Sequence, residues 1–362
     1  MTTRVPLNVS ASAQRVLNAL GRTEDVKLSP SNRRLAVTGF RHGHVVVFDL
    51  SIVAHSGGTL VTLSAPVELK SSTLRYPHGV SFLDDNTLAV ADRGGDIGVY
   101  AVPQGTDDGL VVDAEPELTI RGDENCVVKS PGSLSVTPIG PNRWDLLVCN
   151  NYVHYVSRHL IEKHDALSAS SHAVLLQHDL DVPDGVSVSA DGSWIAISNH
   201  TMHSVFVYAN LPSLDRDSRP DAVLIGIDSP HGVRFTADGR HILVADAGAP
   251  FINVYSRGSG GWTGTLEPIN LFRSMDESTF KRGRYNPEEG GPKGIDVDDG
   301  MRVLVATSEY LGVVFFDLPS ILNEPPSRLQ LRLLTARRSF ERARYKLMCR
   351  NKGKLQRIAA RL

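Results

Sequence analysis

Along most of the chain, apolar and polar residues alternate in short runs separated by turn residues. Val233-Arg234-Phe235 alternates, Ala237-Asp238-Gly239 makes a tight turn, Ile242-Leu243-Val244-Ala245-Asp246 forms a second run and Ile252-Asn253-Val254-Tyr255 a third. A period of two bounded by Asp-Gly turns predicts strands joined by hairpins. The aromatic ending of the third run recurs at Val47-Phe48, Val99-Tyr100, Val207-Tyr208 and Phe315-Phe316. A fourth, outer strand is predicted over residues 223–227 and their counterparts.

The whole unit repeats. Its first strand opens Pro77-His78-Gly79-Val80, Pro131-Gly132-Ser133-Leu134, Pro183-Asp184-Gly185-Val186, Pro230-His231-Gly232-Val233 and Pro292-Lys293-Gly294-Ile295, with Thr23-Glu24-Asp25-Val26 as a degenerate copy. The position after the proline falls at residues 24, 78, 132, 184, 231 and 293, so successive copies are 54, 54, 52, 47 and 62 residues apart. Six such copies predict an all-β, six-bladed β-propeller. The last copy, residues 294–318, supplies three strands. Residues 14–20 have the spacing of an outer strand and are expected to complete the sixth blade, leaving no open edge. The chain thus divides into a propeller over residues 1–325 and a basic amphipathic helical tail over residues 326–362. The tail lacks the turns and alternation of a seventh blade.

Composition narrows the class. The 362 residues are 41% hydrophobic and 6% aromatic, with 31 glycines and 20 prolines, which suits many short strands rather than helices. No apolar run is long enough to span a bilayer and the N-terminus has no signal-peptide pattern. The odd, scattered Cys126, Cys149 and Cys349 read as reduced thiols, so a cytoplasmic protein is expected. The net charge of −2 conceals an asymmetry. Residues 326–362 hold twelve Lys/Arg against Glu341, or +11, leaving −13 for the rest. Such a tail suits an anionic membrane surface or a protein partner, or it packs on the acidic body. Nucleic acid is disfavoured because the body repels phosphates.

In a propeller the innermost strands surround the axis, so one register brings six residues together: Glu24, His78, Gly132, Asp184, His231 and Lys293. Imidazoles, carboxylates and an amine are the mixture of a metal or catalytic site. They suit Zn, Mn or Fe better than Ca, although Lys293 beside a cation is costly. A hydrogen-bonded rim of balanced charge is the plainer alternative. Arg93 and His200, at the ends of second strands, are candidate ligand contacts. His-Glu-x-x-His, Cys-x-x-Cys, Gly-x-Ser-x-Gly and Walker-type motifs are missing.

The Pro-x-Gly-Val opening, the Ala-Asp-Gly turn and the Leu-Val-Ala-Asp…Ile-x-Val-Tyr ending resemble NHL-repeat and gluconolactonase-like propellers, and are similar to YVTN repeats, over residues 14–318. Gluconolactonase-like enzymes carry metal ligands in this register: a Glu in the first blade, an Asn in the fourth and an Asp in the fifth. The resemblance therefore implies metal ligation by Glu24, Asp184 and His231, with His231 replacing the acid/base Asp. It implies a metal-dependent hydrolase acting on a small polar, sugar-derived substrate. His231 and Lys293 would be its catalytic groups, and His78, Arg93 and His200 would bind substrate. The alternative function is a non-catalytic scaffold recruited through its tail.

Overall fold

The computed structural model describes residues 4–40, 43–121, 127–284 and 289–323. The tail at 326–362, His42, Cys126 and Cys349 lie outside the described residues. Six sheets, antiparallel apart from strands added at the edges of blades 1 and 4, form the six blades. The inner strand of each blade packs on the next, and that of blade 6 returns to blade 1. These inner strands are Thr23–Leu28, Pro77–Asp84, Pro131–Gly140, Pro183–Val188, Pro230–Phe235 and Gly294–Val297. The repeat predicted from the sequence is the blade.

The Pro-x-Gly opening has a steric cause. At Gly185 an added Cβ would stand 2.1 Å from the His231 carbonyl oxygen, and at Gly232 it would stand 2.5 Å from that of Lys293. Neighbouring inner strands approach too closely at the axis to admit a side chain. In five of the blades the pairing of first and second strands also slips here, between Thr23/Val26, Pro77/Val80, Pro131/Ser133, Pro183/Gly185 and Pro230/Val233. A bulge of this kind re-aims side chains. Further out, the third-strand aromatics Phe48, Tyr100, Tyr208, Tyr255, Phe315 and Phe316 are buried. Each contributes about 2–3 kcal/mol of burial to the cores that join blades.

The closure differs from the expected one. Residues 14–20 do not form an outer strand, because helix α1 runs over Ala11–Ala19, capped by Ser10, whose hydroxyl accepts the Ala13 N–H at 3.2 Å. Ala13, Val16, Leu17 and Leu20 fall at helical spacing and pack on the core between blades 1 and 6. The sixth blade, Gly294–Val297, Val303–Ser308 and Gly312–Asp317, is instead extended by Arg4, which bridges to Phe316, and by Val5, whose N–H donates to the Phe315 carbonyl at 2.9 Å. The chain then adds Leu7–Val9, parallel, to the outer strand Gly58–Lys70 of blade 1. The outer strand of blade 4 is shorter than expected, Ala222–Leu224. Two further helices, α2 (Glu277–Gly283) and α3 (Leu318–Asn323), flank blade 6. Among the described residues no helix is long and apolar enough to cross a membrane.

Candidate functional site at one mouth of the channel

All the residues predicted for the central ring are buried together. Glu24 is fully buried, and His78, Asp184, His231 and Lys293 are each at most 5% exposed. Lys293 Nζ lies 2.9 Å from Glu24 Oε2, and His231 Nε2 and His78 Nε2 lie 3.6 and 3.7 Å from the same oxygen. His231 Nε2 is also 3.2 Å from Asp184 Oδ2. The position without a side chain, Gly132, is put to use. Its carbonyl accepts a hydrogen bond from His78 Nδ1 at 2.6 Å, and its missing Cβ leaves room for the Asn151 side chain, which donates to Asp184.

The two imidazoles stack at 5.5 Å between centroids, yet their surroundings push them apart electrically. Burial, and then the Arg93 charge, push His78 down to about 3, so it is neutral. Its Nδ1 proton is committed to a carbonyl, which leaves the Nε2 lone pair facing the ring. Burial also opposes a charge on His231, but Asp184 and Glu24 outweigh it and raise its pKa. Burial would raise Glu24 as well. Lys293, His231, His78 and Arg22 outweigh it and hold that carboxylate well below the usual range. Asp184 is depressed in the same way, burial being overcome by His231, His78, Arg93 and His200.

A second layer comes from the ends of the second strands, where one rule holds in four blades. The last strand residue clasps the loop ahead of its own inner strand. Asp92 accepts from the N–H groups of Arg75 and Tyr76, Asn150 from Lys129, Asn199 from Asp181, and Asp246 from Asp228 and Ser229. In blades 2 to 4 the residue after the clasp reaches the site. Arg93 Nη2 lies 3.4 Å from Asp184, Asn151 hydrogen-bonds the same carboxylate, and His200 Nε2 lies 3.9 Å from Glu289. Arg93 Nε, Asn151 Oδ1 and His200 Nε2 are buried and make no hydrogen bond among the described residues. Buried polar atoms left this way are costly and mark a place a ligand would satisfy.

Sequence reasoning missed two members. Arg22 binds Glu24 Oε1, and its guanidinium lies 5.2 Å over Phe40. Glu289 holds Lys293 Nζ at 2.7 Å and Arg22 at 3.5 Å. Arg22 was findable as the residue two before Glu24. Glu289 comes from the loop after α2, and nothing in the repeat points to it.

The predicted metal set was Glu24, Asp184 and His231. Geometry instead brings ligand atoms of Glu24, His78 and His231 within 4.8 Å of one another. The donor set does not fit a resident divalent ion as arranged. Both Glu24 oxygens already carry cations, Arg22 on one and Lys293 on the other, and Asp184 is taken by Asn151, Arg93 and His231. Arg22, Arg93 and Lys293 already offset Glu24, Asp184 and Glu289, and His231, its pKa raised, is inclined to add a further positive charge. A divalent ion would add charge that nothing offsets.

Fold and site together define a six-bladed propeller with a buried, ion-paired polar pocket at one channel mouth. No family model matches the chain, and no curated protein matches it in sequence. Solved structures do match. One, a provisionally assigned 6-phosphogluconolactonase from Bacteroides uniformis, is 13% identical with a TM-score of 0.53, over 81% of this chain and 80% of that one. At that identity the likeness speaks for the fold.

Proposed function

We propose that the chain is a hydrolase of the lactonase type, acting at this mouth on a small polar substrate that carries an anionic group. The observation behind this reading is the pair of stacked imidazoles with opposite protonation, His78 neutral and His231 inclined to hold its proton. Two adjacent groups whose pKa values are pushed apart are the usual arrangement for splitting base and acid roles. The name of the Bacteroides uniformis neighbour agrees with this reading at the level of chemistry class.

In this mechanism Arg93 Nε and His200 Nε2, which make no hydrogen bond among the described residues, receive the anionic group. Binding there also offsets the Arg93 charge, the largest depressing influence on His78 after burial, and so makes His78 more basic. His78 Nε2 then holds a water and takes its proton as the oxygen bonds to the substrate carbonyl carbon. Lys293 stabilises the negative charge developing on the carbonyl oxygen. His231 hands its proton to the departing ring oxygen as the C–O bond breaks. Solvent returns the proton from His78 to the His231–Asp184 pair, so the net change is one water added across the ester bond. No step passes through a metal.

The test is turnover of a panel of sugar-acid lactones and small esters. His78→Gln and His231→Gln are each expected to lower kcat by about 10²-fold with the fold intact by circular dichroism. Arg93→Gln should raise KM for anionic members of the panel and leave neutral ones unchanged. No turnover across the panel, or turnover that survives both histidine variants, overturns the reading. The scaffold alternative draws on residues 326–362, outside the described residues.

A further inference from the structure

The channel has a second mouth, and it is chemically unlike the first. Three residues beyond the ring just described, the inner strands place Lys27, Ser81, Ser187, Arg234 and Asp296 around a cavity of about 210 Å³ to which all six blades contribute. Asp296 is already saturated. One oxygen takes Arg234 Nε at 3.1 Å, the other takes the Leu28 N–H at 2.8 Å, and Lys27 Nζ lies 3.3 Å away. Asp25 accepts the N–H groups of Val26 and Val80 and stands 3.6 Å from Arg234 Nη2.

What remains uncommitted is donor capacity. Arg234 is 3% exposed, and its Nη2 makes no hydrogen bond among the described residues, while Nη1 is spent on the Val186 and Val233 carbonyls. Lys27 is about a quarter exposed and has hydrogens beyond those used on Asp296. The Ser81 and Ser187 hydroxyls accept backbone N–H groups of the next blade, from Val136 and Phe235, and neither finds an acceptor for its own proton among the described residues. On the rim, Asp299 accepts from the Asn32 amide at 3.3 Å. An arginine nitrogen without a hydrogen bond among the described residues, an ammonium with hydrogens beyond its bond to Asp296, and two hydroxyls with protons to give match a ligand that only accepts.

We propose that this second mouth binds a small oxyanion, a phosphate group or a carboxylate, held by Arg234 and Lys27 with Ser81 and Ser187 donating. Burial raises the Asp25 carboxyl, which lessens the negative charge opposing such a ligand. The site does not depend on the chemistry proposed for the other mouth.

The experiment is calorimetric titration of the full chain with inorganic phosphate and, separately, malonate. The proteins are wild type, Lys27→Gln, Arg234→Gln and, for the first mouth, Arg93→Gln. The expected result is binding of at least one anion, weakened about tenfold or more by Lys27→Gln and Arg234→Gln and retained in Arg93→Gln. Phosphate alone would assign a phosphate group, and malonate alone a carboxylate. If Arg234→Gln fails to fold, Lys27→Gln decides, because that side chain is partly exposed. Neither anion binding at tens of millimolar overturns the proposal. So does binding that Lys27→Gln leaves intact and Arg93→Gln removes.

Discussion

Lys293 Nζ, 2.9 Å from Glu24 Oε2, holds the place where a divalent ion would meet that carboxylate. Elemental analysis of untagged protein purified without chelator should therefore find no stoichiometric Zn, Mn, Fe or Ca. Lys293→Met should gain metal uptake, because it bares Glu24 beside the neutral His78 and removes a charge that disfavours cations. Near-stoichiometric metal in the wild type would refute this. A second expectation concerns pH. His231 acts as an acid, so turnover should fall as pH rises through its raised pKa. Asp184 is the largest influence raising that value, so Asp184→Asn should move the falling limb to lower pH. A limb that stays put would mean another group controls the proton. The types and register of the ring residues were readable from the repeat, since the position after each proline is invariant in placement though not in identity. Which protonation state each holds was not readable, because it depends on partners that folding brings in: Arg93, from the end of the second strand of the same blade, on His78, and Asp184, from the neighbouring blade, on His231.

Inner strands show how a motif records a packing constraint. Gly185 has no room for a methyl group, with the His231 carbonyl 2.1 Å from where its Cβ would be. Gly185→Ala should cost roughly 3 kcal/mol in chemical denaturation and also displace His231, lowering turnover beyond what stability explains. Unchanged stability would show that the strands separate easily. The Pro-x-Gly signal was thus legible for a steric reason. Helix α1 was legible too, but only at the correct period. Ser10 as cap, with Ala13, Val16, Leu17 and Leu20 at helical spacing, outweighs the alternation within residues 14–20. The expected strand is not needed at the sixth blade, because Arg4 and Val5 extend that blade instead.

Stability of the whole molecule should respond to acid earlier than its carboxylates alone would dictate. His78 and His159 are both neutral in the folded chain, at about 3, chiefly because they are buried. Their unfolded values are near the ordinary ~6.5. A lowered folded pKa gives stability that is present above the unfolded value and is lost as pH falls towards the folded one. Each histidine should therefore remove up to about 1.4 kcal/mol per pH unit below pH ~6.5. Glu24 and Asp184, also depressed, add their losses below ~4.5. His231 works the other way, its contribution fading as pH rises through its raised value. His159 bonds Ser157 and His172, away from the ring. His159→Gln should reduce the loss between pH 6.5 and 5 in urea midpoints, and an unchanged slope would show that other groups carry it.

The sequence by itself determined the blade, the number of blades and the ring of axial residues, because these are local: period-two strands, tight turns, and a glycine wherever two backbones meet at the axis. Tertiary structure alone decided the rest. Arg22 and Glu289 joined the site from outside the register, and Arg4 and Val5 extended the last blade in place of residues 14–20. A slip in strand pairing also turned residues three apart towards one channel, making two polar mouths where alternation suggested one. The Arg22–Glu289 pair and the contacts of Arg4 and Val5 with the last blade join segments far apart in the chain. Such contacts exist only once the ring of blades has closed, so no local pattern could encode them.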